Sequence, residues 1–513
     1  MRVSPGLSAA DPVDLLIVGG GINGTGIARD AAGRGLSVVL CEQGDLANYT
    51  SSASSKLIHG GLRYLEQYEF RLVREALIER EVLLNAAPHI IRPLRFVLPH
   101  SREQRPAWLI RIGLLLYNHL GGRRKLPRAR RINLRRDPAG APLKATFRTG
   151  FAYPDCWVDD ARLVVLNAID AHERGAEILT RTRCTVARRA NGLWYADLAS
   201  APRAPARLVR ARALVNATGP WVARFLAERT DLARAGRVRL VKGSHIVVPK
   251  LYDHDDPYIL QHRDGRVVFV IPYEGRYSLI GTTDVEYQGD PAEARITDAE
   301  TLYLCNAVNL YFRDRLTPDR VVWRFAGVRP LYDDAEEDLS AVTRDYVLDL
   351  DQAEGEAALL SIFGGKITTY RKLAEHALEK LQPVLGFGGG PWTTTAPLPG
   401  GDLEDFEGFV RGLQRAARWL PSDLARRYAR AYGSRVEKFL VGARGLGDLG
   451  ERLGDGLYEA EVDYLRRHEW AVTAEDILWR RSKLGLHLGA ATVARLEAFL
   501  GQEAKEPHAA RAN

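Results

Sequence analysis

The chain has 513 residues, 46% of them hydrophobic and 27% charged, and carries a formal net charge of +8. That length supports roughly two or three domains with their own cores, and the composition excludes a disordered or collagen-like chain. Four cysteines, Cys41, Cys156, Cys184 and Cys305, stand far apart with no CxxC spacing, which argues against a disulfide framework or a cysteine-bound metal and points to a reducing compartment.

In chain order, the opening "MRVSPGLSAADPVD" has no apolar segment of the kind that leads a secreted protein, so no signal peptide is expected. "DLLIVGGG" (14–21) reads as a buried strand running into glycines. "INGTGIARDAAGRG" (22–35) reads as a helix of small residues, and "LSVVLCE" (36–42) as a second strand ending in an acid. This is a βαβ unit. Within it Gly19, Gly21 and Gly24 form GxGxxG, and Glu42 closes the second strand. The first glycine makes the turn, the second lets the backbone approach a pyrophosphate, and the third lets the helix pack on the strand. Glu42 would accept from adenosine ribose hydroxyls. The pattern predicts dinucleotide binding and leaves flavin or nicotinamide open.

Next, "SKLIHGGLRYLEQYEF" (55–70) sets Lys56, His59 and Arg63 around Gly60 and Gly61. The glycines let something pack against the main chain, and the cations suggest that it is anionic. Val73, Ala76, Leu77 and Leu84 recur at helical spacing until Pro88 stops the run. In "PAWLIRIGLLLYNHL" (106–120), Trp108 and Tyr117 flank an apolar run broken by Arg111. It is too short and too charged to span a bilayer and suits a helix lying in the interface. The stretch 121–136 follows with eight basic residues and no acid: Arg123, Arg124, Lys125, Arg128, Arg130, Arg131, Arg135 and Arg136. That equals the whole net charge and predicts a local anionic partner.

Beyond residue 156, "DDARLVVLNAIDAHERG" reads as a helix, and "CTVARRANGLWYADL" as a hairpin on Asn191-Gly192. "ARALVNATG" is a strand entering another glycine turn. Strand-like runs dominate from 240 to 350, and "FGGKITTYRKLAE" (363–375) is a third glycine turn opening a helix. Glycine turns drawn from such distant segments favour a tightly held FAD over a nicotinamide. The Gly- and Pro-rich stretch 386–401 reads as a linker. Helical patterns follow, with Phe406, Phe409, Leu413, Ala416 and Leu420 on one face and a Thr473–Asp476 capping box.

These motifs carry a family resemblance. "GGGINGTGIARDAAGRG", "TSSASSKLIHGGLRYLE", "CWVDDARLV", "NATGPW", "KGSHIVVP", "IGTTDVEY", "GVRPL", "TRDY" and "FGGKITTYRKLAEHALEKL" occur in order. The chain resembles the FAD-dependent glycerol-3-phosphate dehydrogenases of the aerobic, membrane-associated bacterial type, over nearly its whole length. Tyr49 departs from the small residue usual there.

The resemblance implies an α/β and α+β fold. An FAD-binding Rossmann-like domain would be assembled from 12–87, 151–236 and 356–392. An inserted mixed β-sheet domain, 88–150 and 237–355, would contact substrate and membrane, and 393–513 would form a C-terminal α-helical domain. Around FAD it implies Ile22, Asn23, Thr50, Ser51, Ser52, Ser55, Lys56, Leu57, His59, Gly60, Gly61, Ala217, Thr218, Gly219, Trp221, Gly365, Lys366, Ile367 and Thr368, with the GxGxxG glycines and Glu42. Toward substrate it implies Arg63, Tyr64, Arg329, Arg344 and Lys366. A dianionic phosphate ester needs donors from several directions, which such scattered cations supply. His245 stays open between pocket and core.

The implied reaction oxidises glycerol 3-phosphate to dihydroxyacetone phosphate. His59, with Arg63, is the nearest candidate for proton handling, with Arg329 and Arg344 on the phosphate and alkoxide and Lys366 on the developing oxyanion and the flavin. Electrons would pass to membrane quinone at the cytoplasmic side of the inner membrane, where an anionic phospholipid surface meets Trp108, Arg111, Tyr117 and the basic stretch. A homodimer is compatible with the resemblance. One rival is an oxidase on the same scaffold that releases peroxide, for which an interfacial basic segment has no use. The other is a nucleic-acid-binding protein, which lacks interleaved aromatics on its basic stretch and leaves Arg63, Arg329, Arg344 and Lys366 unexplained.

Overall fold

The computed structural model describes residues 11–62, 65, 68–101, 106–122, 125–201, 205–232, 238–262, 264–332 and 345–503. Two large sheets and a mostly helical C-terminal unit organise them. In the first sheet, Val13–Val18 is flanked by parallel neighbours, Arg207–Asn216 on one side and Val38–Cys41 on the other. Ala358–Phe363 continues it beyond Arg207–Asn216, and Glu177–Leu179 beyond Val38–Cys41. These strands are apolar on both faces because the helices Ile22–Gly33, Asp160–Glu173 and Tyr370–Leu385 cover one face, while the hairpin Arg183–Ala190 and Leu193–Ala199 helps cover the other. Asn191 and Gly192, both at positive φ, make the hairpin turn.

The second sheet is mixed. Val238–Pro249 pairs antiparallel with Trp323–Tyr332 and with Tyr277–Gly281, and the ladder runs through Val267–Tyr273 and Tyr258–Gln261 to Ile91–His100 and Thr149–Val158. The sheets redraw the expected boundaries. Thr149–Val158 pairs with Ile91–His100, so 151–158 lies in the second sheet rather than the first. Val347–Asp351 pairs with Ala358–Phe363, so 347–351 returns to the first sheet. A helix, Asp298–Tyr311, capped by a reciprocal Thr297–Glu300 box, lies within the expected strand region.

Residues 386–401 are a strap rather than a loose linker. Trp392 lies against Gly33, where a methyl group would stand 2.1 Å from the indole. Its Nε1 donates to Asp30 O at 3.2 Å, and Arg29 and Arg174 sit over its ring. Thr393 and Leu398 are buried. The strap delivers the chain to the helices Phe406–Ala416, Ser422–Tyr432 and Glu459–Glu469, whose core includes Tyr428, Tyr432, Val462 and Leu465. Ala416 of the expected apolar face is exposed and Ala417 is buried instead. The Thr473–Asp476 box is formed, with both backbone N–H groups bonded to the reciprocal side chain.

Glu274, at positive φ in the turn before Tyr277–Gly281, illustrates the cost of the joint between the second sheet and the C-terminal unit. Burial, reinforced by Asp159, raises its carboxyl from the ordinary 4.5 to about 7. Between those two values the native state binds the proton that the unfolded state has lost, so stability falls as pH rises through the window. Glu274→Gln is expected to leave stability unchanged near pH 4 and to raise it by about 1–3 kcal/mol at pH 8, read by urea unfolding at both pH values.

Candidate active site

The parallel strands of the first sheet end side by side, and the glycine turns leave from those ends. Val18 registers with Cys41 and Asn216, and Asn216 with Ser361. Gly19, Glu42, the Ala217-Thr218-Gly219 turn and Gly364-Gly365 are therefore gathered at one edge, the place where open α/β sheets bind ligands. Gly19 adopts φ +119°, and a methyl there would stand 2.4 Å from Ala217 O. A methyl on Gly24 would stand 1.9 Å from Gly19 O, so this glycine serves helix–turn packing beneath the site. Glu42 accepts from Gly20 N at 2.7 Å and from Gly44 N at 2.8 Å, which locks the loop that follows it.

Two cavities open here. The first, about 340 Å³, is lined by Gly19, Gly21, Ile22, Asn23, Glu42, Thr218, Gly219 and Trp221. The second, about 860 Å³, is lined by Ser55, Leu57, His59, His245, Arg329, Lys366, Ile367 and Thr368. Ile22, Thr50, Ser51, Pro330, Gly364 and Gly365 border both, so the two form one channel. Tyr49 fills the first wall by packing edge-on against Trp221, with ring centroids 4.7 Å apart.

The channel fits FAD. The helix Ile22–Gly33 starts on it, its first N–H bonded to Ser51 Oγ at 3.0 Å, with its positive end toward the first chamber. Asn23 Oδ1 is buried there without a partner among the described residues, and Gly219, at positive φ, has open space where a Cβ would stand. Gly19, Gly21, Glu42, Thr218 and Gly219 would hold the adenosine and pyrophosphate end. Ser51, His59 and residues 365–368 would border the ring end.

In the second chamber, Arg329 Nη2 donates to Thr283 O at 2.9 Å and pairs with Asp284 at 2.6 Å, which aims the guanidinium from its strand. Lys366 follows the Gly364-Gly365 turn onto the same wall. His245 is stacked on Phe325 and its Nε2 lies 2.9 Å from Ser55 Oγ. Burial, with Lys56 and Arg329 beside it, pushes His245 down to about 3. His59 is lowered too, by burial first and then by Lys366 and Arg80 against the pull of Asp155. Both imidazoles are therefore neutral at neutral pH and each offers a lone pair.

Several expected cofactor contacts lie elsewhere. The Lys56 ammonium is fully buried, bonded to Asp160 Oδ1 and Oδ2 at 2.9 Å and to Ser52 O, so it braces the loop from behind. A methyl on Gly60 would stand 2.5 Å from Leu77 and 2.7 Å from Tyr117 Oη, so Gly60 admits those side chains rather than a ring. Gly61 and Ser52 are off the channel walls as well. Tyr117 is only 2% exposed and donates to Asp155, which rules it out as a surface anchor. Arg63, Tyr64, Arg344, Arg123 and Arg124 lie outside the described residues.

The sequence reading missed Thr182, Arg183 and Cys184 on the first chamber and Arg239, Asp264, Arg266, Thr282 and Asp284 on the second. Thr282 and Asp284 had a signal, since they sit in "IGTTDVEY". Arg239, Asp264 and Arg266 belong to no local pattern.

Comparison with known proteins agrees with this geometry. A family model described as FAD dependent oxidoreductase matches residues 14–371, and one described as the C-terminal domain of alpha-glycerophosphate oxidase matches 391–506. A glycerol-3-phosphate dehydrogenase of Pseudomonas aeruginosa is 58% identical over 99% of this chain and 98% of its own. The chain belongs to the FAD-dependent glycerol-3-phosphate dehydrogenase family. The aerobic glycerol-3-phosphate dehydrogenase of Escherichia coli is 54% identical over 95% of this chain and 97% of its own. The D-erythritol 1-phosphate dehydrogenase of Brucella abortus is 54% identical over 94% and 96%. Among solved structures, a Bacillus halodurans glycerol-3-phosphate dehydrogenase complexed with FAD superposes with TM-score 0.75 at 26% identity, covering 98% of this chain and 97% of that one. Members of this family use FAD, and the channel is where this chain has room for it.

Proposed function

We propose that this protein oxidises sn-glycerol 3-phosphate to dihydroxyacetone phosphate and passes the electrons to a membrane quinone. The observation that carries the reading is the second chamber, which joins Arg329 and Lys366 to two neutral imidazoles on one wall system. Arg329 offers a planar fork to the phosphate dianion, and Arg63, Tyr64 and Arg344 join it on the strength of their motifs. His59 takes the hydroxyl proton, being neutral and on the chamber wall. Lys366, close enough to His59 to depress its basicity, steadies the oxygen as it loses that proton. His245 is held through Ser55 and keeps one face of the chamber rigid. When bound, FAD supplies the two-electron acceptor for the hydride.

Anaerobic glycerol 3-phosphate should bleach the flavin band of the purified protein, and unphosphorylated glycerol should not. In His59→Asn, single-turnover bleaching should slow sharply while substrate affinity stays; normal bleaching would assign the proton to another group. Faster bleaching by D-erythritol 1-phosphate than by glycerol 3-phosphate would change the substrate, and stoichiometric peroxide in place of quinone reduction would change the acceptor.

We assign the protein to the cytoplasmic side as a peripheral membrane protein, and its surface supports the membrane contact. Along Ala107–Leu120, Trp108 is 63% exposed, Ile112 46% and Leu115 57%, with Leu109 and Leu116 beside them. Arg130 and Arg131 of the adjoining strand border the same shallow groove, with Arg111 on the helix itself. An outward apolar stripe edged by arginines suits the headgroup boundary, each cation adding roughly 1 kcal/mol on an anionic leaflet. Among the described residues no helix is long and apolar enough to cross a membrane. Lys125, Arg128, Arg130 and Arg131 changed together to Gln should abolish the preference for anionic vesicles, and Ile112→Gln with Leu115→Gln should weaken binding to all vesicles. Co-sedimentation with liposomes checks both. Unchanged binding in both variants would reduce the patch to ordinary surface.

A further inference from the structure

The C-terminal unit reaches the far end of the channel through one short π-helical segment, Asp476–Arg481. From it Arg480 Nε and both Arg481 Nη atoms grip Asp45 at 2.6, 2.7 and 2.7 Å, all fully or nearly buried. Asp45 lies in the loop that runs from Glu42 to Tyr49, and Glu42, Gln43, Ala47, Asn48 and Tyr49 of that loop line the first chamber. The same segment holds the stretch that adjoins this loop. Asp476 pairs with Arg181 at 2.6 Å, and the residues that follow, Thr182, Arg183 and Cys184, line the chamber beside the loop. The two stretches are stitched to each other by main-chain bonds, Arg181 N to Gly44 O and Thr182 N to Glu42 O, each 2.7 Å. Ala47 and Arg181 both stand at positive φ, a conformation that side-chain-bearing residues keep only when their surroundings impose it.

Neither Asp45 nor Arg181 lines the chamber, so the contacts act on its shape and not on the ligand. We propose that the C-terminal domain is a clamp on the adenosine end of FAD: Arg480, Arg481 and Asp476 are positioning residues that fix these two adjoining segments of the chamber lining and thereby set how slowly the cofactor leaves. The inference rests on FAD occupying the channel. The clamp sits at the end remote from Arg329, Lys366 and His59, so it governs retention without entering the chemistry. It also gives the domain a task in an enzyme whose second chamber is built entirely from the other two units.

Holoenzyme diluted into flavin-free buffer tests it, because flavin fluorescence reports release. Asp45→Asn and Arg181→Gln should each release FAD about ten-fold faster or more, Arg181→Lys should restore much of the retention, and turnover of glycerol 3-phosphate in excess FAD should stay within two-fold of the parent. The melting temperature of flavin-stripped protein separates clamp loss from general damage. Arg181 is one-third exposed, so its Gln variant should melt with the parent when stripped and fall below it only when loaded. If Asp45→Asn fails to fold, Arg181→Gln decides. Release within two-fold of the parent in Arg181→Gln, or faster release that comes with an equally lowered stripped-protein melt, overturns the clamp. A parent that takes up no FAD overturns the channel assignment itself.

Discussion

Arg329→Gln is expected to lower kcat/KM for glycerol 3-phosphate by about 100-fold, mostly through KM. The guanidinium lies on the chamber wall, and a charge-assisted contact to a phosphate dianion in such a cavity contributes roughly 1.5–3 kcal/mol. A second effect adds to the first. Arg329 pairs with Asp284, itself on the chamber wall, so its removal takes away positive charge that offsets this carboxylate near the incoming anion. Arg329→Lys keeps the charge and loses the fork, and should cost roughly ten-fold. Adding Asp284→Asn to Arg329→Gln should recover part of the loss, and a double-mutant cycle measures that part. Full activity in Arg329→Gln, or glycerol turned over as well as its phosphate, would remove the phosphate site from this wall.

The largest expected effect on stability comes from Lys56→Met. Lys56 and Asp160 form an ion pair with both side chains at 0% exposure. Removing one member of a buried pair strands the other charge in low dielectric and typically costs about 3–5 kcal/mol. Asp160 keeps bonds from Ser54 and from the Ala161 N–H, which soften the loss without cancelling it. Urea unfolding of the holoenzyme measures it, and Lys56→Met with Asp160→Asn should recover a good part of the stability. Because the pair underpins the loop that carries Ser54 and Ser55, the single variant should also loosen FAD. A loss below about 1 kcal/mol would mean that the site takes up water and the pair counts for little.

What could be read from the sequence followed from how local the physics is. Gly19, Gly21 and Glu42 announce themselves because turn, helix start and strand end fall within one short unit. Thr218-Gly219 and Gly364-Gly365 are legible for the same reason, each being a glycine turn at the end of a buried strand. Lys56 was misread because its charge is visible in sequence while its partner, Asp160, is 104 residues away. Tyr117 was misread because an aromatic near the end of an apolar helix looks the same whether it meets lipid or turns inward to Asp155. The strap at 386–401 has the composition of a flexible connector, yet Trp392 alone, seated against Gly33, is enough to fix it. Arg480 and Arg481 carry no sequence signal of their role, because their partner Asp45 lies 435 and 436 residues away.

The wide separation of these partners also bears on how the chain is made. Val13–Val18 lacks its neighbour Arg207–Asn216 until some two hundred residues more have been synthesised, and Asp45 is 436 residues ahead of Arg481. At about 5–20 residues per second, the first strand waits roughly 10–40 s for its sheet partner, and Asp45 waits roughly 20–90 s for its arginines. During that interval "DLLIVGGG" and "LSVVLCE" are a bare two-stranded fragment, the sort of unpaired apolar edge that holdase chaperones bind. The contacts to Asp45 therefore form only after nearly the whole chain has been made, so the loop from Glu42 to Tyr49 stays without its arginines throughout most of elongation.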